Sequence, residues 1–334
     1  MSHRNLRARL ADWRRLVAVS PRRDDPQVVG GRVAEEYLQC LIQAHRQFRG
    51  ATLYPNRRVP AGRRRREIDL IVVSPHRLHL IEVKNWSGSL KLDRGQWVQL
   101  NRNGLAIRHP DLVNDHRDKA DALFGYLDRE GVRLTPDQRK RYASNKVLFV
   151  NPKLQIESSV IADHPDVLPS YRLDRYLSAQ RRDSFGERLL GSIAQWCLDS
   201  DSASTVLDGL LGRLPPDMVA RVNAALGKLG TWDSLHFHGG RIETGDLIRL
   251  DLGGRTADRN QFGRDIAMKL HWTRNRWWGL AKALWGERLG VLETGVSGLG
   301  WVELDLADNV LFHKAGEPNP TPVPLASLDE IRLG

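Results

Sequence analysis

Two apolar runs, Ile68 to Val73 and Leu78 to Val83, are separated only by Ser74-Pro75-His76-Arg77, and each run carries one acid, Asp69 in the first and Glu82 in the second. The linker has the composition of a turn, so the segment predicts a β-hairpin. With the turn centred between Pro75 and His76, Val73 faces Leu78, Ile71 faces Leu80 and Asp69 faces Glu82. Side chains alternate with period two, which places Lys84 on the face of the two acids and Ile68, Leu70, Val72, Ile81 and Val83 on the other.

Two carboxylates opposite one another destabilise a strand pair, and the apolar flanks on both faces describe a central, buried strand. A divalent cation offsets such repulsion: Mg2+ takes hard oxygen ligands, commonly one or two carboxylates with water and phosphate. It also activates bound water and neutralises charge on a phosphate under attack, and Lys84 would stand beside it to support the nucleophile. The alternative is that Asp69 and Glu82 are strand-end acids facing water, with Lys84 in an ordinary ion pair.

Around the hairpin the pattern is mixed. Helical spacing through Val29, Val33, Tyr37, Leu38 and Leu41 predicts a helix from Val28 to about Ile42. A strand is expected at Trp97 to Leu100, a helix at Asn114 to Asp128 and a buried strand at Lys146 to Val150, giving an α/β fold with a mixed sheet. Four regions follow from composition: an Arg-rich N-terminal arm over 1–24, an α/β domain over 25–165, a helical connector over 166–230 and a mostly β domain over 231–334. The stretch from Pro318 to Pro324 reads as an extended loop before a last short element.

The chain has 334 residues, which exceeds the usual single core, and a net charge of +11, which favours a polyanionic partner through counterion release. Cys40 and Cys197 have unrelated contexts, so neither a disulfide framework nor a zinc ribbon is expected. No run is long and apolar enough for a membrane span and no signal-peptide core opens the chain. A cytoplasmic protein is the expectation.

The segment Glu67-Ile68-Asp69-Leu70-Ile71-Val72-Val73, followed by Leu80-Ile81-Glu82-Val83-Lys84-Asn85-Trp86-Ser87-Gly88, resembles the centre of the nuclease-related domain (NERD), a branch of the PD-(D/E)xK phosphodiesterase superfamily. Gly31-Arg32-Val33-Ala34-Glu35 resembles the family's G-x-x-G-E helix, with Ala34 in place of the second glycine. Helical geometry leaves Glu35 and Glu36 equivalent; the resemblance selects Glu35. Gly95-Gln96-Trp97 matches the strand after the core motif. His109-Pro110 onward is similar to the N-P-x-x-Q helix, with His109 for Asn and with Asn114 or Lys119 standing in for the absent glutamine. The resemblance spans about residues 28 to 150. It implies a mixed sheet flanked by helices, dependence on Mg2+ or Mn2+, and hydrolysis of DNA or RNA, as in DNA processing or defence against foreign DNA. The metal would be held by Asp69, Glu82 and the Val83 carbonyl with help from Glu35, and Lys84 would support the nucleophile. The competing reading is an inactive nucleic-acid-binding or scaffold protein that keeps this fold.

Arg57, Arg58, Arg63, Arg64, Arg65 and Arg66 precede the acidic strand and are expected as a loop that grips phosphates, with Asn114 and Lys119 contributing from the helix. The C-terminal domain is a candidate for binding a protein partner. Within it, Trp277, Trp278, Leu280, Ala281, Leu284 and Trp285 fit a core-facing helix, which the spacing favours over the alternative of stacking on unpaired bases.

Overall fold

A computed structural model describes residues 6–62, 64–75, 77–179, 214–294 and 301–334. The chain divides into two compact units, one made of Pro26–Leu229 and the other of Met1–Asp25 with Gly230–Gly334. Helix α1 (Leu6–Val17) belongs to the second of these. The Arg-rich arm over 1–24 thus packs within a folded unit: Leu16 is fully buried there and Asp24 accepts the backbone N–H of Ile242 at 3.2 Å.

In the unit Pro26–Leu229, helix α2 (Pro26–Ala44) leads into β1 (Thr52–Ala61), β2 (Arg64–Val73) and β3 (Leu78–Lys84). A small sheet follows, built from β4 (Gly88–Asp93), β5 (Gln96–Leu100) and β6 (Ala106–His109). Next come α3 (Leu112–Arg129), α4 (Pro136–Tyr142), β7 (Ala143–Phe149), β8 (Leu154–Ile156), α5 (Ser159–Ala162), β9 (Val167–Pro169) and α6 (Leu173–Ser178); α7 (Pro216–Gly227) completes the unit. The main sheet runs β1-β2-β3-β7-β9, antiparallel through β3 and parallel from β3 to β9, so it is mixed as expected. The second sheet runs β6-β5-β4-β8. Residue 196 and the rest of 180–213, expected as helical, lie outside the described residues.

Both faces of the main sheet are covered, which accounts for the near-continuous apolar runs of its central strands. On one face Leu70, Val72, Ile81, Val83 and Leu148 pack with Ala34, Leu38 and Ile42 of α2 and Leu173 and Leu177 of α6. On the other, Ile71, Val73, Leu78 and Leu80 pack with Ala120, Leu123, Phe124 and Leu127 of α3 and Met218, Val222 and Leu226 of α7. Ile68 departs from the expected alternation and joins Ile71 and Val73 in this second cluster. The reason is local: the β2–β3 ladder pairs Val73 with Leu78 through Leu70 with Ile81 and ends there, so β2 changes its course at Asp69.

The inward face of α2 also differs from expectation. Ala34, Leu38 and Ile42 are its buried residues, whereas Val33 and Tyr37 are 57% and 58% exposed. Apolar residues cover more than half the circumference of this helix, so spacing alone did not define the stripe that meets the sheet.

The other unit is a nine-stranded antiparallel sheet. Its strands are β10 (Asp233–Phe237), β11 (Ile242–Leu252), β12 (Arg255–Asp258), β13 (Ile266–Trp272), β14 (Gly290–Thr294), β15 (Trp301–Leu304), β16 (Asn309–Lys314), β17 (Thr321–Pro324) and β18 (Leu328–Leu333). The order is β15-β14-β13-β18-β10-β11-β16-β17, with β12 also on β11. The expected loop before the last element is in part the strand β17, which pairs with β16 and so satisfies its backbone. Helix α8 (Arg276–Trp285) lies between β13 and β14, capped by the Asn275 side chain and closed by Gly286 in the left-handed conformation.

Candidate active site

Where the β2–β3 ladder ends, side chains take over from main chain. The carboxylate of Asp69 accepts the Val83 backbone N–H at 2.8 Å, replacing the next cross-strand bond. Asp69 and Glu82 are therefore brought together at a fork between two strands rather than as a regular facing pair. Across the sheet, the β1–β2 ladder steps from Pro55–Leu70 to Arg57–Ile68, and Asn56 between them adopts a left-handed conformation with φ 51.

Glu82 is buried at 5% exposure and holds two lysines: Lys84 Nζ donates to Oε1 and Lys119 Nζ to Oε2, both at 2.7 Å. Lys119 comes from α3, where Asp115 one turn earlier also lies 3.7 Å from its ammonium. His116, one turn before Lys119 on the same face of α3, donates its Nε2–H to the Leu80 carbonyl at 3.0 Å and brings Nδ1 to 3.9 Å from Glu82. That Nδ1 is buried without a hydrogen-bond partner.

The electrostatics follow from burying two acids together. Burial pushes the Asp69 carboxyl up, and the Glu82 charge adds to the effect, to about 7. Burial also opposes ionisation of Glu82, but Lys84 and Lys119 outweigh it and hold its carboxyl below the usual range. Burial disfavours the Lys84 ammonium, yet Glu82 and Asp69 overcome that and raise it. Glu35 reaches the same group from α2. Burial, then the neighbouring Glu67, raises its carboxyl, while a hydrogen bond with the Asn56 side chain and the charge of Lys84 act in the opposite direction. Glu36 is exposed, so the two helical acids that spacing could not separate have different surroundings.

The residues after Lys84 fix the end of β3. Asn85 Nδ2 donates to the Gly30 carbonyl at 2.7 Å, joining the strand end to the start of α2. Trp86 stacks on His109 with ring centroids 3.9 Å apart, so the histidine at the family's Asn position packs beside the site, where burial lowers its pKa. Gly88 has φ 89, and a Cβ there would collide with the Leu100 carbonyl oxygen; only glycine suits the turn into β4.

The arginines do not form the expected loop. Arg57 and Arg58 lie on β1 and Arg64, Arg65 and Arg66 on β2, paired as a hairpin from Arg58–Glu67 to Ala61–Arg64. Extended pairing satisfies the backbone that a loop would leave to solvent. Arg57 donates to the Leu229 carbonyl and lies over the Tyr54 ring, Arg58 is buried, and Arg66 pairs with Asp115 and Asp118 of α3. Arg64 and Arg65 are the exposed members, and residue 63 lies outside the described residues. Asn114 donates its Nδ2–H to the carboxylate of Asp111, the N-cap of α3, at 2.8 Å, while Lys119 points into the site.

Sequence reasoning missed His116 and Asn56. The i, i+3 spacing of His116 to Lys119 was visible, but only the placement of α3 turns it toward Glu82. Asn56 carried the weaker signal of a residue type that tolerates a left-handed backbone.

A mixed sheet flanked by helices, with two acids and a lysine at the fork of its second and third strands, defines a nuclease-like domain of the PD-(D/E)xK kind. Residues 30–155 match the nuclease-related domain. A curated relative, the probable kinase PglW of Streptomyces coelicolor (strain ATCC BAA-471 / A3(2) / M145), is 37% identical over 68 residues, which make up 20% of this chain and 4% of that protein. The chain thus corresponds to a small fraction of the relative's length. No solved structure matches. Among the described residues, no helix is long and apolar enough to cross a membrane.

Proposed function

We propose that this chain is a metal-dependent nuclease that hydrolyses phosphodiester bonds in DNA or RNA. The observation that carries the reading is the convergence of Asp69, Glu82, Lys84 and Lys119 at one buried fork within a nuclease-related domain. Among the described residues no three His, Cys, Asp or Glu side chains gather as a metal cluster. The donors that converge are hard oxygens, the carboxylates of Asp69 and Glu82, and we assign the Val83 carbonyl to the same set. That set suits Mg2+ or Mn2+, which retain several waters and need few protein ligands. Asp69, whose carboxyl is raised by burial beside Glu82, supplies a second sign of fit, since excess negative potential is what a cation relieves. When bound, such an ion supplies an acidified water and charge neutralisation at the phosphate.

The chain's own residues do the rest. Asp69 and Glu82 hold the cation side of the site. Lys84, kept fully charged by its acidic neighbours, stabilises negative charge as it develops on the phosphate and orients the attacking water. Lys119 balances Glu82 from α3 and takes the place of the family's glutamine. Glu35, held by Asn56, lines the α2 side. Arg64 and Arg65 offer exposed phosphate contacts without base readout.

Purified protein, beside a Glu82→Ala, Lys84→Ala double variant, is incubated with single-stranded, double-stranded and supercoiled DNA and with RNA, in Mg2+, Mn2+ or EDTA. Cleavage that requires metal and drops at least about a hundredfold in the double variant supports the proposal. If every substrate survives while the wild type still shifts DNA on a gel, a nucleic-acid-binding protein with a nuclease-like fold is the better account.

A further inference from the structure

Helix α8 turns its aromatic side to solvent. Trp277, Trp285 and Trp278 are 79%, 70% and 56% exposed, and Leu284 is half exposed, in place of the expected core contacts. The core instead receives Gly279 and Ala283, because α1 packs on this helix: Trp13 lies against Gly279 and its Nε1 donates to the Arg276 carbonyl at 3.1 Å. With both ends capped and its small residues buried, α8 is held firmly while three indoles face outward. Trp278 and Trp285 meet edge to face at 6.3 Å, which fixes their ring planes.

The two helices carry net positive charge. No residue from Arg276 to Trp285 is acidic and Lys282 lies in the last turn, while α1 sets Arg7, Arg9, Arg14 and Arg15 against Asp12 alone; Glu287 follows just past the end of α8. Arg14 and Arg15 follow Trp13 on α1, the helix that packs on α8; they and Arg276 are exposed and have no carboxylate partner among the described residues. A partner must therefore offer both negative charge and flat apolar faces. A duplex buries the faces of its bases, whereas an unpaired strand displays them beside its phosphates.

We infer that α8 is a docking site for an unpaired nucleic-acid strand, with bases stacked on Trp277, Trp278 and Trp285 and phosphates neutralised by Arg14, Arg15 and Arg276. The choice of nucleic acid as the partner rests on the nuclease reading; the preference for unpaired strands rests on the indoles.

The full chain is titrated in EDTA with fluorescein-labelled oligothymidylate, followed by anisotropy. Trp277→Ala and Trp285→Ala should each weaken binding by about fivefold to a hundredfold, with unchanged thermal unfolding, while Trp277→Phe retains most of the affinity. A duplex of the same length should compete poorly. Equal affinity in the alanine variants, or equal competition by duplex, overturns the inference. So does a dimer that Trp285→Ala converts to monomer without changing oligonucleotide binding, which would assign the face to a second copy of the chain. EDTA keeps this test apart from catalysis: indole-dependent binding without any metal-dependent cleavage would remove the nuclease reading alone, and cleavage with indole-independent binding would remove this inference alone.

Discussion

Asp69 concentrates the cost of the site in one carboxyl. Its ordinary value is near 4, and in the folded chain it stands at about 7, so between those pH values the folded protein keeps a proton that the unfolded chain releases. Stability should accordingly fall as pH rises from about 4 to about 7 and level off above. In metal-free buffer, Asp69→Asn keeps an acceptor for the Val83 N–H without the charge. Its melting temperature should exceed that of the wild type at pH 8 and converge with it near pH 4; a gap independent of pH would refute the assignment. Lys119 makes the complementary case. Replacing it with Met leaves the buried Glu82 with one cation instead of two and should cost about 3 kcal/mol in urea unfolding. Lys119→Gln should cost less, since an amide still donates to the carboxylate. Much at this scale was readable from sequence, because Asp69, Glu82 and Lys84 follow from strand alternation. His116 was not, since its meaning depends on where a separate helix lands.

Among the elements, helix α2 separates what periodicity determines from what packing determines. Spacing located the helix, but Val29, Val33, Leu38, Leu41 and Ile42 leave several stripes available, and the choice fell to Ala34, Leu38 and Ile42 because the small Ala34 allows close approach to Val83 and its neighbours. Leu38→Ala should destabilise by about 3 kcal/mol, whereas Val33→Ser should stay within about 0.5 kcal/mol. Equal effects, measured by urea unfolding, would mean that the exposed stripe has a partner. The hairpin β2–β3 was legible for the opposite reason. Its turn and its register from Val73–Leu78 to Leu70–Ile81 follow from local alternation. The error came one step further on, at Asp69, where a side chain rather than the backbone satisfies Val83. Helix α8 repeats the lesson, since an aromatic stripe at helical spacing does not reveal which side meets the core once Gly279 and Ala283 can fill that side instead.

For the whole molecule, the composition shift near Gly230 marked the change from mixed α/β to nearly all β, but no sequence pattern announced that residues 1–25 belong with 230–334. Contacts between distant segments leave little local trace. Removing residues 2–25 should expose Gly279, Leu16's pocket and the backbone of Ile242, and should lower the melting temperature of the β unit by about 5 °C or more. Unchanged melting would mean that the N-terminal helix is an ornament to that unit. In the same sheet, β18 lies between β13 and β10, so residues 328–333 join its two halves. During translation the N-terminal helix therefore emerges early and waits about ten to forty seconds, at ordinary elongation rates, for the segment that receives it. The nuclease-related unit, one uninterrupted stretch, can fold during that wait. A ribosome that stalls after residue 229 has emerged and before residue 328 is made would thus release a chain with its candidate catalytic unit formed and its β unit unclosed, leaving α1 and the strand edges beside the gap as the exposed signature of an unfinished product.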